Sequence, residues 1–429
     1  MDKSKNQRIS FPRNFWTVIV MEFFERGAYY SVLSVLSTFL VLSQTDGGLG
    51  FSKEATGAIL GTIQPLLYVL PILAGALADR YGYRKFLMFA FVFMVLGYGL
   101  SGTASSYVVI FGTLLIMALG AGLFKPIISG TIARTTTEQN SSLGFGIFYW
   151  TVNLGACLFP LFLVPFLKSF SYSYIFYMAS GISVVLLLIN IFIYKEPPRP
   201  QTSKKISQIL SEMVLVLKDW RFLLMIVLYS GFWILYFQIY GTVQWYLKFE
   251  LDMEPVNRAV NSFLGLFVSN PHWAFDVEHI TAFTAGVIIC LQLFISVLIK
   301  KTKPLPTMIT GLGLGTLGFA IWMISSHAWV FMLGLLVFTV GEMVAQPKYL
   351  TYVGLIAPAD KKALYMGYSF LYGVIGSGVG GFVGARLYVY FVENLHRPPL
   401  LWLTMCSLGV ASIVGLWAYN KWVAKPAVR

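Results

Sequence analysis

The stretch Glu22-Phe23-Phe24-Glu25-Arg26-Gly27-Ala28-Tyr29-Tyr30 puts three charges inside the first long apolar segment of the chain, which runs from about Asn14 to Leu42. A charge at the middle of a membrane-spanning helix costs roughly 3 kcal/mol even on the permissive insertion scale. Three charges within five residues persist only where they pair with one another, face water and do work. The spacing 22, 25, 26, 29, 30 follows i, i+3, i+4, i+7, i+8, so all five side chains project from one helical face. That face is the first candidate functional surface.

Working outward, the composition agrees with a chain built for the bilayer. Of 429 residues 57% are hydrophobic and 11% charged, against about 25% charged in soluble domains. The apolar runs are about 20 residues long rather than alternating stretches of about ten, which indicates an all-α polytopic membrane protein and not a barrel. A cleavable signal peptide is not expected, because the first apolar segment is too long and carries the charged stretch. Cys157, Cys290 and Cys406 lie in apolar surroundings with no spacing that suggests a disulfide or metal site, and read as small packing residues.

Twelve spans are expected, at about 14–43, 54–78, 84–103, 107–133, 142–167, 173–194, 221–247, 279–299, 306–325, 329–356, 362–391 and 399–422. Pro65, Pro71, Pro126, Pro347 and the run from Gly373 to Gly381 fit bent, closely packed helices. The polar, basic stretch after span six divides the chain into an N-terminal six-helix bundle (1–195), a cytoplasmic linker (196–220) and a C-terminal six-helix bundle (221–429). The segment from about Lys248 to Glu278 reads as the other long polar connection.

Lysine and arginine counting sets the orientation. With both termini in the cytoplasm, 22 of the 31 basic residues fall on the cytoplasmic side and five on the outer side. Arg26, Lys125, Lys348 and Arg386 remain within spans. The net charge of +13 is thus mainly a topology signal, and no nucleic-acid partner is expected. The expected setting is a cell (inner) membrane, with the bilayer and a small solute as partners and a monomeric chain.

Among the acidic residues only Glu22, Glu25 and Glu342 fall well inside spans, and Lys125 is their cationic counterpart on span four. Burial disfavours the charged form of a carboxylate unless a cation stabilises it. A carboxylate that alternates between a cationic partner and a proton is therefore a reasonable proton carrier. A fixed ion pair holding helices together is the plainer reading, but such pairs are often replaceable by apolar residues without loss of stability. Lys348 lies six residues beyond Glu342, roughly 600° around the helix, so the two face different directions. Arg386 reads as an interfacial anchor.

Five stretches, in order, resemble the proton-dependent oligopeptide transporters, a branch of the major facilitator superfamily. The first is the quoted segment from Glu22 to Tyr30. Tyr68 with Pro71, Gly75, Asp79, Arg80, Gly82, Arg84 and Lys85 is similar to the second-helix tyrosine and the superfamily's Gly-x-x-x-Asp-Arg-x-Gly loop. Gly120-Ala121-Gly122-Leu123-Phe124-Lys125-Pro126 resembles the fourth-helix Lys-Pro motif, and Phe148-Tyr149-Trp150-Thr151-Val152-Asn153-Leu154-Gly155 the fifth-helix signature. Gly341-Glu342 with Pro347 and Ala357-Pro358 resembles the tenth helix, continued by Met366-Gly367 through Gly376 in the eleventh. The loop motif alone would indicate only the superfamily; the first, fourth-helix and fifth-helix stretches are the specific ones.

The resemblance implies a proton-coupled symporter that imports di- and tripeptides by alternating access, with twelve spans in two six-helix bundles around a central cavity. It implies proton coupling at Glu22, Glu25 and Arg26 and no cofactor beyond the coupling ion. A peptide carboxylate would be drawn to Arg26 and Lys125 and its amino group to Glu342. Tyr29, Tyr30, Tyr68 and Asn153 would line the cavity, and Gly75, Asp79, Arg80 and Arg84 would serve gating. Opposite charges on two walls orient a zwitterion and let it draw the bundles together.

The chain also departs from the family pattern. Where peptide-transporting members have an arginine seven residues after the signature arginine, this chain has Leu33. The helix-seven glutamate before the glutamine that aligns with Gln238 is replaced by Phe237. If those two residues form a salt bridge across the bundles, it has been removed whole, since either alone would be a costly orphan. Gln346 stands for the serine before Pro347 and Ser369 for the eleventh-helix tryptophan; the eighth-helix asparagine has no clear equivalent, with Gln292 the candidate for its role. Apart from Leu33, the departures cluster on the C-terminal bundle, and they leave open another anionic or zwitterionic solute, such as nitrate or a carboxylated metabolite, or a non-transporting peptide sensor. An enzyme is not expected: no nucleophile–base pair, metal-ligand cluster or phosphate-cradling loop is legible.

Overall fold

Short polar signals start and stop the apolar helices. Ser52 accepts the Ala55 N–H at 3.1 Å and opens the second long helix, which Gly82 ends with φ of 108°, a left-handed conformation that suits glycine. Asp219 accepts from the Phe222 N–H at 3.2 Å at the start of the seventh span. Asp276 accepts the Val277 N–H at 2.8 Å, and His279 Nδ1 accepts the Asp276 N–H at 3.0 Å, so the eighth span begins on a doubly capped turn.

The computed structural model describes residues 11–137, 139–197, 211, 214, 216–358 and 361–424. Lys3, Lys5, Arg8, Arg199, Lys204, Lys205, Lys425 and Arg429 of the orientation count lie outside these residues, as does much of the expected linker 196–220. The helices described are, in order, α1 (Arg13–Val41), α2 (Lys53–Tyr81), α3 (Tyr83–Ser101), α4 (Tyr107–Thr135), α5 (Ser141–Leu158), α6 (Val164–Lys168), α7 (Ser173–Phe192) and α8 (Trp220–Gln238). They continue with α9 (Thr242–Glu250), α10 (Glu254–Leu264), α11 (Val277–Ile299), α12 (Pro304–Ile321), α13 (Ala328–Ile356), α14 (Lys362–Tyr368), α15 (Leu371–Tyr388) and α16 (Pro398–Trp422).

Eleven segments among the described residues are long and apolar enough to cross a bilayer. The remaining span is α1, whose 29 residues carry the three charges. The fifth span is α5 and α6 joined by a π-turn at Phe159–Leu163, where Pro160 and Pro165 remove two backbone donors. The seventh runs through α8 and α9 and the eleventh through α14 and α15.

The segment 248–278 is more ordered than a polar connection. It holds α10, an amphipathic helix of 11 residues begun by Glu254 and Pro255, of which Val256 is buried. Two asparagines pin the following chain back onto it: Asn261 Nδ2 donates to the Trp273 carbonyl at 2.7 Å, and Asn257 Oδ1 accepts the Phe275 N–H at 2.8 Å. A helix with only one apolar face falls below the signal of a span, which is why the sequence reads as a loop there.

In the N-terminal half α3 packs on α4 and α7, α2 on α4, and α1 on α5 and α7; in the C-terminal half α12 packs on α13 and α16, α8 on α15 and α16, and α11 on α13. The halves meet where α2 lies along α15 and α5 along α11. At the first seam a Cβ on Gly381 would meet the backbone of Gly61, so small residues let the two spans approach at main-chain distance.

Twelve crossings bring the start of α1 and the end of α16 to the same face. Polar links between the halves sit at the opposite face. Ser37 Oγ donates to Gln244 Oε1 at 2.7 Å, Trp245 Nε1 donates to the Ser37 carbonyl at 3.1 Å, and Lys53 pairs with Glu393. Lys168 reaches from α6 to Asp276 and Glu278 at 2.9 and 2.5 Å. The halves are thus tied together at the face away from the termini.

Candidate functional site

The charges of α1 form one buried cluster. Arg26 Nε donates to Glu25 Oε2 at 2.5 Å and stands 3.5 Å from Glu22 Oε1. All three residues are 3% exposed or less. Two carboxylates share one guanidinium, and Glu22 Oε2 and Glu25 Oε1 have no hydrogen-bond partner among the described residues. A buried carboxylate half-satisfied in this way has room for a proton or a second cation. The guanidinium also lies 4.8 Å from the ring of Tyr29 and 6.0 Å from that of Tyr30, in the range of a cation–π contact.

Lys125 is the second cation. It precedes Pro126 within α4, makes no ion pair among the described residues, and holds its Nζ 5.2 Å from the Tyr68 ring centroid. Tyr68 crosses to the other half, with ring centroids 5.8 Å from Phe237 and 6.4 Å from Tyr372.

A cavity of about 110 Å³ lies between the halves. Tyr30, Tyr149 and Asn153 line it from the N-terminal side, and Tyr236, Tyr240, Thr281, Thr284 and Glu342 from the C-terminal side. Glu342 makes no ion pair among the described residues, so its carboxylate offers an open acceptor. Asn153 donates Nδ2 to the Tyr149 carbonyl at 2.9 Å, which leaves Oδ1 as its acceptor.

Of the residues expected at the site, Tyr30, Asn153 and Glu342 therefore meet in one cavity. Glu22, Glu25 and Arg26 form the cluster beside Tyr30, and Lys125 and Tyr68 form a separate pair. Tyr29, about 100° around the helix from Tyr30, faces a small apolar pocket with Leu33, Leu36 and Tyr98 instead. Tyr236, Tyr240, Thr281 and Thr284 also line the cavity and carry no charge that would mark them in the sequence. The i, i+4 pair of tyrosines was the available signal on the seventh span, since their hydroxyls lie 3.4 Å apart on one face.

The substituted family positions have partners of their own. Gln346 donates Nε2 to the Tyr372 hydroxyl at 2.8 Å and accepts from the Tyr229 hydroxyl at 3.0 Å. Gln292 Nε2 donates to Ser296 Oγ on its own helix at 3.0 Å. At Leu33 the backbone carbonyl accepts from Gln244 Nε2 at 3.4 Å. Lys348 donates to the Thr302 carbonyl at 2.8 Å, away from Glu342, and Arg386 is exposed.

The loop after α2 ties several helix ends together. Asp79 Oδ1 takes the Arg134 guanidinium at 2.5 Å and the Tyr83 hydroxyl at 2.7 Å. Arg84 donates Nε to the Asn190 carbonyl at 3.2 Å and its backbone N–H to Glu196 at 2.8 Å. Arg80 lies 5.4 Å from the Tyr81 ring, and Gly75 faces Pro126 across the α2–α4 contact. Asp79 and Arg84 thus join the ends of spans two, three, four and six.

The sequence profile of the Major Facilitator Superfamily matches residues 15–381. A di-/tripeptide transporter of Lactococcus lactis subsp. lactis is 27% identical over 253 residues, 55% of this chain and 48% of that protein. The multidrug resistance protein MdtH of Aeromonas hydrophila is 24% identical over 390 residues, 90% of this chain and 92% of that protein. Against the peptide transporters and related proteins it matches first, this chain spans 37% to 48% of their own length. The solved structure of a POT family transporter in complex with 5-aminolevulinic acid superposes with a TM-score of 0.76 at 19% identity, covering 96% of each chain.

Proposed function

The chain belongs to the Major Facilitator Superfamily, and from that premise we propose that it is a proton-coupled symporter importing di- and tripeptides by alternating access. The observation that carries this reading is Glu342, an unpaired carboxylate in the cavity between the halves, opposite the wall backed by Arg26. A peptide ammonium fits Glu342. Its carboxylate is drawn to the N-terminal wall, where Arg26 and Lys125 carry the positive charge. Likeness to a di-/tripeptide transporter over about half of the chain supports the same substrate class.

Proton coupling falls to Glu22, Glu25 and Arg26, where one guanidinium serves two carboxylates. Residues 1–195 and 221–429 act as the two rocking halves, with Gly75, Asp79, Arg80 and Arg84 serving the gate on the termini side. The protein is placed in the cell membrane as a monomer with both termini cytoplasmic. On that placement the tied face is the outer one, and the described state is closed to the outside. No group other than the proton is required.

A second reading, another small zwitterion in place of a peptide, is favoured by the relative solved with 5-aminolevulinic acid and by the loss of charge at Leu33 and Phe237. The test is uptake into proteoliposomes under an inward proton gradient. Accumulation of labelled dipeptide, abolished by dissipating the gradient, is the expected outcome. Ligand binding without flux would point instead to a sensor.

A further inference from the structure

Outside the cavity, the densest set of charges lies at the seam of the fifth and eighth spans, on the face away from the termini. Lys168, at the end of α6, places Nζ 2.5 Å from Glu278 Oε1 and 2.9 Å from Asp276 Oδ2. Lys248, at the end of the seventh span, places Nζ 2.9 Å from the same Asp276 oxygen. Two ammonium groups and two carboxylates balance. His279 and Tyr172 are the other titratable groups nearby: His279 lies edge-on to Trp273 and tilted against Phe275, with Nε2 buried and unpartnered among the described residues, and Tyr172 stands near enough to feel Lys168, Asp276 and Glu278.

The balance holds only while the seam is shut. Lys168 belongs to the N-terminal half; Asp276, Glu278 and Lys248 all belong to the C-terminal half. When the seam parts, Asp276 keeps Lys248 and stays compensated. Glu278 loses its one cation. With the seam shut its side chain is 1% exposed, and Oε2 lacks a hydrogen-bond partner among the described residues. Losing Lys168 removes the cation that favours the charged form of Glu278, while the Asp276 carboxylate stays beside it, and the newly opened water supplies a proton.

We propose that Glu278 is a proton-binding site of the transport cycle, which takes up a proton from the outer solution as Lys168 withdraws and gives it up as Lys168 returns. In opening, the Lys168 Nζ–H···Glu278 Oε1 contact breaks, Lys168 leaves as the ammonium, and one proton from bulk water bonds to the Glu278 carboxylate. In closing, the proton returns to water and the ion pair re-forms. Acid on the outer face therefore favours the outward-open state, by at most about tenfold in its ratio to the closed state per pH unit for one proton. Asp276 does not compete for this proton. When Lys168 withdraws, Lys248 Nζ stays 2.9 Å from Asp276 Oδ2 and keeps that carboxylate compensated.

The inference rests on the alternating-access reading, and its test needs no solute. Ser105 and Ser326 are exposed on the loops of this face, one in each half. With Cys157, Cys290 and Cys406 replaced, Ser105→Cys and Ser326→Cys carry spin labels whose separation is measured by electron–electron double resonance in liposomes at about pH 8 and about pH 5. The separation is expected to lengthen at the lower pH. Glu278→Gln and Lys168→Gln should give the long separation at both, while Glu278→Asp keeps the pH response. A separation that does not change with pH in the otherwise unaltered protein, or a normal response in Glu278→Gln or Lys168→Gln, would overturn the proposal. Peptide uptake decides the substrate separately, so the two readings can fail independently.

Discussion

Arg26 and Tyr30 lie one turn apart on the first span, the guanidinium 6.0 Å from the phenol ring, and of the two only Tyr30 lines the cavity shared with Glu342. The positive charge of the N-terminal wall thus acts from behind an aromatic layer, whereas the negative charge of the opposite wall is presented directly. The two walls of the cavity present different environments. On the proposed peptide reading, the ammonium end would meet the Glu342 carboxylate and the carboxylate end would meet hydroxyls backed by Arg26 and Lys125.

Glu342→Gln keeps the shape of the cavity and removes its open charge. A hydrogen bond to a charged partner contributes about 1.5–3 kcal/mol, so dipeptide affinity measured by thermal shift or calorimetry should fall about 10- to 100-fold. An N-acetylated dipeptide, which lacks the ammonium, should bind the altered and unaltered proteins alike. Unchanged affinity for the free dipeptide would reject this role for Glu342.

Lys125→Gln tests the other end of the substrate. Lys125 makes no ion pair among the described residues and rests against Tyr68, so its charge is free to meet a carboxylate. Competition assays should show weaker binding of a dipeptide and little change for the C-terminally amidated dipeptide, which has no carboxylate to lose. Equal losses for both would assign Lys125 to helix packing.

Asp276 has a folded-state value of about 2 against an ordinary 3.8. A depressed carboxyl contributes stability that is fully present above its unfolded value and is lost as pH falls through the folded one. The contribution is on the order of 2 kcal/mol. Asp276→Asn should therefore melt at a lower temperature than the unaltered protein at neutral pH, and the gap should close between about pH 4 and about pH 2. A gap constant over that interval would mean that the two lysines do not depend on the Asp276 charge.

Much of this architecture is legible in one sequence because the bilayer makes the code simple. Spans announce themselves by length, and charges inside them stand out against their cost. Glu22, Glu25, Arg26, Lys125 and Glu342 were all readable on that ground. What was not readable depended on which face of a helix a residue occupies once helices bend and pack. Tyr29 and Tyr30 look equivalent in sequence but face different pockets. Tyr236 and Tyr240 look like ordinary apolar filling until the seventh span is set against the tenth. The Lys168–Glu278 pair joins residues 110 positions apart on two halves, and no local pattern marks it. The helix Glu254–Leu264 was hidden because its single apolar face is short.

The central claim is that the carboxylates beside Arg26 couple protons to solute movement, and Glu25→Gln in proteoliposomes tests it most directly. Glu25 shares the guanidinium at 2.5 Å, and Glu22 stays 3.5 Å away to hold Arg26 in place. The account predicts that gradient-driven accumulation of labelled dipeptide is lost while exchange of labelled for unlabelled dipeptide by counterflow persists. Full accumulation under a proton gradient in Glu25→Gln would contradict it.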